Sequence, residues 1–398
     1  MKMCLSSRLK DVGIVFGLVV IVAAVAHFIV TNPLGPSRLL YYVQTPFIQW
    51  NVQCSEDAPY WMAQVQRYAI SEMAAPASQL AFISADGVLS HCEAGWKDSI
   101  LGNEVLLPES RFRYASITKT VTAIAIVDLV NKGALSLDDK IVEVLELDNN
   151  LKDPRVADIT IEHLLTHRGG WDRVRGQDVM FMMSRKPWCP LEPEKLADSK
   201  LMYSPGETEA YSNLGYCLLG LALERVTGVT FRDYVKNYFD IREGGVKFID
   251  GPYLPDEVNY DFRHENFYSK NYYQFFDFMA ISSSAGLSGN AKDLAEVVSS
   301  SLKRGPLTIL DGDMHNDCDP EEVQQCYGFG VFRFQPNADV SPIFMHGGKL
   351  PGAASLIAIS PKGDVLVWLG AGSRRPGGDG LANFYRRIHL LLSEKHYH

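Results

Sequence analysis

The run Phe112-Arg113-Tyr114-Ala115-Ser116-Ile117-Thr118-Lys119 sets a hydroxyl and an amine three residues apart at the start of an apolar stretch. On a helix, positions i and i+3 share a face, so the Ser116 hydroxyl and the Lys119 amine can meet. A serine hydroxyl is a weak nucleophile, and a lysine whose ammonium form is destabilised by burial or neighbouring cations can accept its proton. The helix N-terminus adds a positive dipole and free N–H groups where an oxyanion would develop. Alone the tetrapeptide is a weak signal, because an N-capping serine followed by a solvent lysine is spelled the same way.

Two further elements follow in order. Tyr203-Ser204-Pro205-Gly206-Glu207 precedes Tyr211-Ser212-Asn213, which opens onto the helical Leu214–Gly220. A Tyr-x-Asn turn before a helix presents a phenol and a carboxamide to one crevice. The phenol can shuttle a proton if nearby cations lower its pKa, and the amide can orient the lysine and a substrate carbonyl. The third element, His346-Gly347-Gly348-Lys349-Leu350-Pro351-Gly352, comes just after the strand-like Ile343–Met345. Its glycines leave room for a ligand against an edge strand, whose backbone N–H groups are then open to a carbonyl oxygen.

Together, Ser116-x-x-Lys119, Tyr211-x-Asn213 and His346-Gly347-Gly348 resemble the three active-site motifs of the serine β-lactamase and penicillin-binding protein superfamily. The second motif and the long spacing are similar to the class C branch, with its D,D-carboxypeptidases, D-aminopeptidases, esterases, acyltransferases and prodrug-activating peptidases. The resemblance runs from about Pro59 to Leu391 and includes Leu135–Asp139, Ile159–His167, Gly286–Ser288 and Ala291–Leu294. It implies an α/β (α+β) fold of the serine β-lactamase/DD-peptidase type, an antiparallel sheet flanked by helices with an inserted, mostly helical lobe. It further implies that Ser116 is acylated, that Lys119 accepts its proton, and that Tyr211 protonates the leaving group and helps activate water. Asn213 would position groups in the site, and the backbone N–H groups of Ser116 and Lys349 would form the oxyanion hole. Whether Lys119 or Tyr211 is the base stays open, because the two would titrate as a coupled pair.

The third motif departs from the Lys-Thr-Gly of β-lactamases. His346 and Gly347 stand where that motif has a cation and a hydroxyl, and imidazole is mostly neutral at pH 7. Recognition of an antibiotic carboxylate is thereby weakened. Lys349 replaces the small residue usual in relatives; its side chain either faces solvent or restores a cation for an acidic substrate. The expectation is a serine hydrolase cleaving an amide or ester, of a peptide or acyl-peptide, through an acyl-enzyme, with no metal or organic cofactor. Two alternatives stand beside it: a β-lactamase or D,D-carboxypeptidase, and a sensor module that acylates and stalls.

The elements that must position these residues can be read from hydrophobic periodicity. Trp61–Met73 has helical spacing, and Ser78–Trp96 reads as a hairpin around Ala85-Asp86-Gly87. A helix from Ser116 to Val130 ends near Gly133, and further helical patterns cover Ile161–Thr166 and Leu214–Val226. Gly328–Phe334, Ser355–Ser360 and Asp364–Ala371 have strand character, and Ala382–Ser393 is helical again. With strands at both ends and helices between, the order suggests a sheet lobe (about 52–112 and 285–398) and a helical lobe (about 113–284), together a catalytic domain over 52–398.

The 398 residues carry Lys+Arg 38 against Asp+Glu 47, a net charge of −9, without a basic cluster, which argues against nucleic acid as partner. Val12–Val30 is a 19-residue apolar run whose only ionisable side chain is His27, long enough to cross most of a bilayer. Lys2, Arg8 and Lys10 before it favour a cytoplasmic N-terminus and an extracytoplasmic (periplasmic) body on the inner membrane. Residues 1–30 thus read as a signal-anchor, although Ala24-Val25-Ala26 also suits a cleaved leader. The Pro-punctuated segment 31–51 reads as a stalk.

Six cysteines follow the apolar run, Cys54, Cys92, Cys189, Cys217, Cys318 and Cys326, enough for three disulfides on an oxidising side. Cys318 with Cys326 is the easiest loop to close, and buried free thiols are the alternative. His163 and His167 stand four apart without the acid of an H-E-x-x-H motif, so they read as structural rather than metal-binding. Glu192–Leu196 faintly resembles a class A acidic loop at the wrong spacing. The aromatic-rich stretch Tyr253–Phe278 suits either core packing or an apolar wall over the cleft.

Overall fold

The computed structural model describes residues 2–32, 35–97, 100–147, 150–176, 178–181, 186–238, 245–251, 254–258, 277–312, 317–350, 352–371 and 380–393. Most of the aromatic stretch 253–278 lies outside them. The chain forms two units, Met1–Phe47 and Ile48–His398. The first contains α1 (Lys2–Thr31) and most of α2 (Gly35–Trp50). Gly13–Thr31 of α1 has mean hydropathy 2.8 and is wholly unburied, and its 19 residues extend about 28 Å. The segment read as a stalk is thus helical over Gly35–Trp50. Pro36 falls in its first turn, where the missing N–H is tolerated, and Pro46 lies inside it.

The second unit opens with β1 (Gln53–Cys54), α3 (Tyr60–Glu72), the hairpin β2 (Ala77–Ile83) and β3 (Leu89–Gly95), and β4 (Phe112–Arg113). The helical middle comprises α4 (Thr118–Asn131), α5 (Ile141–Val144), α6 (Ile161–Leu165), α7 (Asn213–Thr227) and α8 (Phe231–Tyr238), then β5 (Lys247–Phe248) and α9 (Ser282–Ala285). The chain returns through β6 (Leu287–Gly289), α10 (Ala291–Ser301), β7 (Phe332–Phe334), β8 (Ile343–Leu350), β9 (Ala353–Ile359), β10 (Val365–Ala371) and α11 (Gly380–Ser393).

Seven strands make one antiparallel sheet in the order β1-β3-β2-β10-β9-β8-β7, and β4-β6-β5 make a second. The central strands β2, β9 and β10 are buried along their whole length and mostly apolar, with Ser78, Gln79 and Ser355 as buried polar exceptions, because both faces are covered. Their period-two alternation divides the side chains between two cores. Ala81, Ile357, Val365 and Val367 face one core with residues of α4 and α10, including Val121, Ile124 and Leu294. Leu80, Leu356, Leu366 and Trp368 face the other with Val65, Ala69, Phe384 and Ile388 from α3 and α11. The first core also takes in Leu164, Leu218 and Leu223 of the helical middle, so sheet and helices share one interior.

Two boundaries differ from expectation. The Gly328–Phe334 strand contracts to Phe332–Phe334, whereas β8 continues through the glycine motif because its pairing with β9 persists to Leu350↔Ala353. β7 pairs with β8 only over Ile343–Met345. From His346 to Leu350 the outer edge of β8 has no strand beside it among the described residues, which leaves backbone groups open to a ligand. Disulfides Cys54–Cys92, Cys189–Cys217 and Cys318–Cys326 use all six cysteines that follow the apolar run.

Trp368, fully buried in the α3/α11 core, packs edge-on against Phe384 at 5.1 Å between ring centroids. Trp368→Ala is expected to destabilise the fold by about 3–5 kcal/mol in denaturant titrations. A loss below about 1 kcal/mol would contradict its place in that core.

Candidate active site

Ser116 lies in a single 3-10 turn, Ala115–Ile117, that leads into α4. The expected helix therefore begins as a tighter turn, which still brings positions i and i+3 together. Tyr114 fixes that turn at three points: its N–H donates to Leu287 O (2.9 Å), its carbonyl accepts from Ser355 Oγ (2.6 Å), and its phenol donates to Asn290 O (2.8 Å). Ala115 has φ +50°, a left-handed conformation that an L-residue holds only when its surroundings impose it. In α4, Thr118 Oγ1 accepts from Leu287 N, Thr120 donates to Gly330 O, and Thr122 donates to Ser283 O. The buried start of this helix is thereby tied to β6, α9 and the segment before β7.

Lys119 is fully buried. Its Nζ donates to Asn213 Oδ1 (2.7 Å) and to the Ser284 carbonyl (2.8 Å). Burial holds its pKa well below the ordinary value, and the Arg173 charge reinforces this against the opposing pull of Asp178. A neutral amine has two N–H bonds and one lone pair. The two carbonyls take both hydrogens, so the lone pair remains as the acceptor that a serine proton requires.

Asn213 is the first residue of α7, whose N-cap Ser212 accepts from Gly215 N through its hydroxyl (3.1 Å). The Asn213 amide donates to Asp178 through Nδ2 (2.5 Å), which turns its oxygen toward Lys119. His167 holds the preceding residue: its Nδ1 accepts from Ser212 N (3.2 Å), and its ring lies 4.3 Å from that of Tyr211. It is buried and neutral, its pKa pushed well down chiefly by desolvation, so its work is structural as expected.

Tyr211 departs from the expected behaviour. Burial raises its pKa to about 12, outweighing a hydrogen bond with Ser116 and the Arg173 charge, which pull the other way. It is a neutral phenol at pH 7. Its hydroxyl lies 3.4 Å from His346 Nε2. His346 Nδ1 sits 2.7 Å from the Gly330 carbonyl, which can only accept, so Nδ1 carries the hydrogen and Nε2 accepts from Tyr211. Desolvation lowers the His346 pKa to about 3, so the imidazole is neutral as its type suggested.

Alternation along β8 sorts the rest of the third motif. His346 faces Tyr211, and Gly348 faces Ser116: a Cβ there would lie 2.3 Å from Ser355 Oγ and 2.8 Å from the Ser116 nitrogen. The bare glycine keeps the space over that N–H open. Gly347 and Lys349 share the opposite face, where a Cβ on Gly347 would strike Tyr385 Oη of α11 at 1.7 Å. Lys349 is exposed, and its side chain leaves from the face away from Ser116, so it does not restore the missing cation.

Several residues of this cluster were not singled out from sequence. Arg173 lies over the Tyr211 ring (4.4 Å), Asp178 holds Asn213, and Tyr327 packs edge-on against both His167 (4.8 Å) and His346 (5.7 Å). None belongs to a motif; only the cysteine beside Tyr327 marks its loop. Glu209, two residues before Tyr211, accepts from Tyr327 N (2.8 Å), and burial raises its pKa to about 7.

The chain is similar to several known proteins. A family model described as Beta-lactamase matches residues 80–240. The putative fimbrial assembly protein FimD, serogroup D, of Dichelobacter nodosus is 36% identical over 373 residues, 94% of each chain. Esterase EstB of Burkholderia gladioli is 33% identical over 131 residues, 30% of this chain and 33% of EstB. Among solved structures, the D-amino acid amidase of Ochrobactrum anthropi SV3 covers 80% of this chain and 95% of its own (TM-score 0.61, 19% identity). The penicillin-binding protein of Bacillus halodurans covers 79% and 96% (TM-score 0.59, 23% identity). These two share the fold.

Two outcomes test the geometry. Glu209 binds its proton more tightly folded than unfolded, so its contribution to stability is complete below pH 4.5 and is lost as the pH rises through about 7. Glu209→Gln should flatten the stability–pH curve across that window in thermal melts; an unchanged slope would count against the burial of Glu209. Gly348→Ala should abolish labelling of Ser116 by a fluorophosphonate while the protein still folds, and undiminished labelling would show that the space over Ser116 N is not needed. With a relative matching along 94% of its length, the β-lactamase family model over 80–240 and an antiparallel-sheet fold shared with a penicillin-binding protein and an amidase, this chain belongs to the serine β-lactamase and penicillin-binding protein superfamily.

Proposed function

We propose that the chain is a membrane-anchored serine hydrolase that cleaves an amide or ester bond of a peptide or acyl-peptide through an acyl-enzyme on Ser116. The observation that carries this reading is the fully buried Lys119, whose pKa burial holds well below its ordinary value and whose Nζ donates to two carbonyls beside the serine turn. Ser116 gives its proton to Lys119 Nζ as its oxygen bonds to the substrate carbonyl carbon. The resulting oxyanion is met by the backbone N–H groups of Ser116 and Lys349. As the bond to the leaving nitrogen or oxygen breaks, Tyr211 gives that atom its proton and recovers one from Lys119, whose Nζ stands 4.9 Å from the Tyr211 ring centroid. Water then attacks the ester in the reverse sense, and its proton passes back through the same pair. With a Tyr211 pKa of about 12, Lys119 is the base in the resting enzyme, and the phenol serves as donor and relay.

The neutral His346 and the outward Lys349 support amide and ester substrates over β-lactam antibiotics, whose carboxylate finds no cation on β8. The intact relay supports turnover over a stalled sensor. The apolar, unburied α1 supports an anchor, and the three disulfides support an extracytoplasmic setting. The name of the relatives that match along 94% of the chain, fimbrial assembly protein, supports a role in fimbrial assembly.

Full-length protein in detergent, assayed with nitrophenyl esters, D-aminoacyl amides and N-acyl peptides, should show a burst followed by turnover. Ser116→Ala should lower kcat by about 10³-fold or more on each responsive substrate; equal rates would remove Ser116 from the chemistry. The rate should rise with pH as Lys119 loses its proton, with no fall from Tyr211 until the pH nears 12. A loss of activity centred between pH 8 and 10 would contradict the buried neutral phenol.

A further inference from the structure

A cavity of about 480 Å³ opens beside the catalytic cluster, with Asn213 in its wall. Trp171 and Trp188, both half-buried, give it two aromatic surfaces, and Arg173, Lys186 and Lys200 give it three cations. The acids along the same wall are already engaged: Asp178 with the Asn213 amide, Asp172 with the Tyr203 hydroxyl and the Val174 N–H, and Asp198 with Lys152. A fourth cation, Lys195, is paired with Glu192. Arg173, Lys186 and Lys200 have no carboxylate partner among the described residues. The guanidinium of Arg173 rests on the face of Tyr211, inside the reach of a bound substrate.

The wall is fixed to the site covalently. Cys189, next to Trp188, is bonded to Cys217 on α7, four residues beyond Asn213. The segment that carries Trp188 is thereby tethered to the helix that carries Asn213. A pocket with two aromatic faces and three cations that form no ion pair among the described residues favours a flat or apolar group that carries a negative charge, and a guanidinium matches a carboxylate in two parallel hydrogen bonds.

We infer that this cavity is the specificity pocket of the enzyme, and that it takes a carboxylate-bearing substrate moiety, with Arg173 as the residue that reads the charge. Arg173 offers its positive charge from the segment between α6 and α7, in a cavity with no residue of β8 in its wall. The inference rests on the serine hydrolase reading above, and binding to the inactive protein separates the two.

Full-length Ser116→Ala protein is titrated calorimetrically with N-phenylglutaramate, a carboxylate-bearing anilide, and with its neutral counterpart N-phenylbutanamide. The anion is expected to bind at least about tenfold more tightly, the size of one charge-assisted hydrogen bond, and the preference should shrink as salt is raised. Arg173→Ala in the same background should bring the ratio of the two dissociation constants close to one, Arg173→Lys should restore part of it, and Lys186→Ala with Lys200→Ala, in protein that keeps Arg173, should lower it only in part. Equal binding of the two anilides, or a ratio untouched by Arg173→Ala, overturns the inference. The protein with Ser116 intact is then assayed on mono-4-nitrophenyl glutarate and 4-nitrophenyl butyrate. An anion preference in KM that follows Arg173 supports the pocket in catalysis, and its absence there overturns it. Hydrolysis equal with and without Ser116 defeats the hydrolase reading alone and leaves the calorimetric result standing.

Discussion

A lysine nitrogen held out of water between two carbonyl oxygens is the constraint from which the rest of the site follows. An ammonium ion at that depth would have to be stripped of its hydration with only neutral acceptors facing it, so the group gives up its proton instead. For this to hold, the two acceptors must be fixed. The Ser284 carbonyl is placed by α9 and by the Thr122 bond to its neighbour Ser283. The Asn213 amide is placed by the start of α7 and by Asp178, whose carboxylate accepts only from the nitrogen end of the amide. Three segments far apart in the chain thereby decide the protonation state of one side chain.

The same economy of charge extends outward. His167 and His346 are buried and Tyr211 is half-buried, all three in neutral forms, linked by ring contacts and by the chain Gly330 O, His346, Tyr211. A proton can move along neutral donors and acceptors without creating an isolated ion. Net charge is kept at the rim, where Arg173, Lys186 and Lys200 remain in contact with solvent. The interior is suited to proton transfer and the rim to recognition, and the two meet at the Arg173–Tyr211 contact.

Backbone placement is as exacting as charge. The Ser116 turn is pressed between Tyr114, anchored at three points, and Gly348 of β8, where even a methyl group would fill the gap. The pairing of β7 with β8 stops at Met345 and thereby frees the edge that begins at His346. An unpaired strand edge is ordinarily a liability, and here it is short, lies against the serine turn and carries an exposed lysine on its far face.

Local spacing singled out Ser116, Lys119, Tyr211, Asn213 and His346 as candidates, because each motif occupies a few residues whose geometry is set by one turn. The hairpin, α3, α4, α7 and α11 were legible for the same reason: periodicity records which face of an element is buried. The helix Gly35–Trp50 was obscured by its prolines, whose position within a helix matters more than their number. The sequence by itself determined the chemistry present, a hydroxyl, an amine, a phenol, an amide and an imidazole in fixed order, along with one apolar span and an even set of cysteines after it. Only the tertiary structure decided the states of these groups. Burial reversed the expected pKa shift of Tyr211, strand alternation turned Lys349 away from the serine, and chain crossings brought in Asp178, Tyr327 and Arg173. Those outcomes depend on distance through space and on the loss of water, and neither is written in the spacing of residues along a chain.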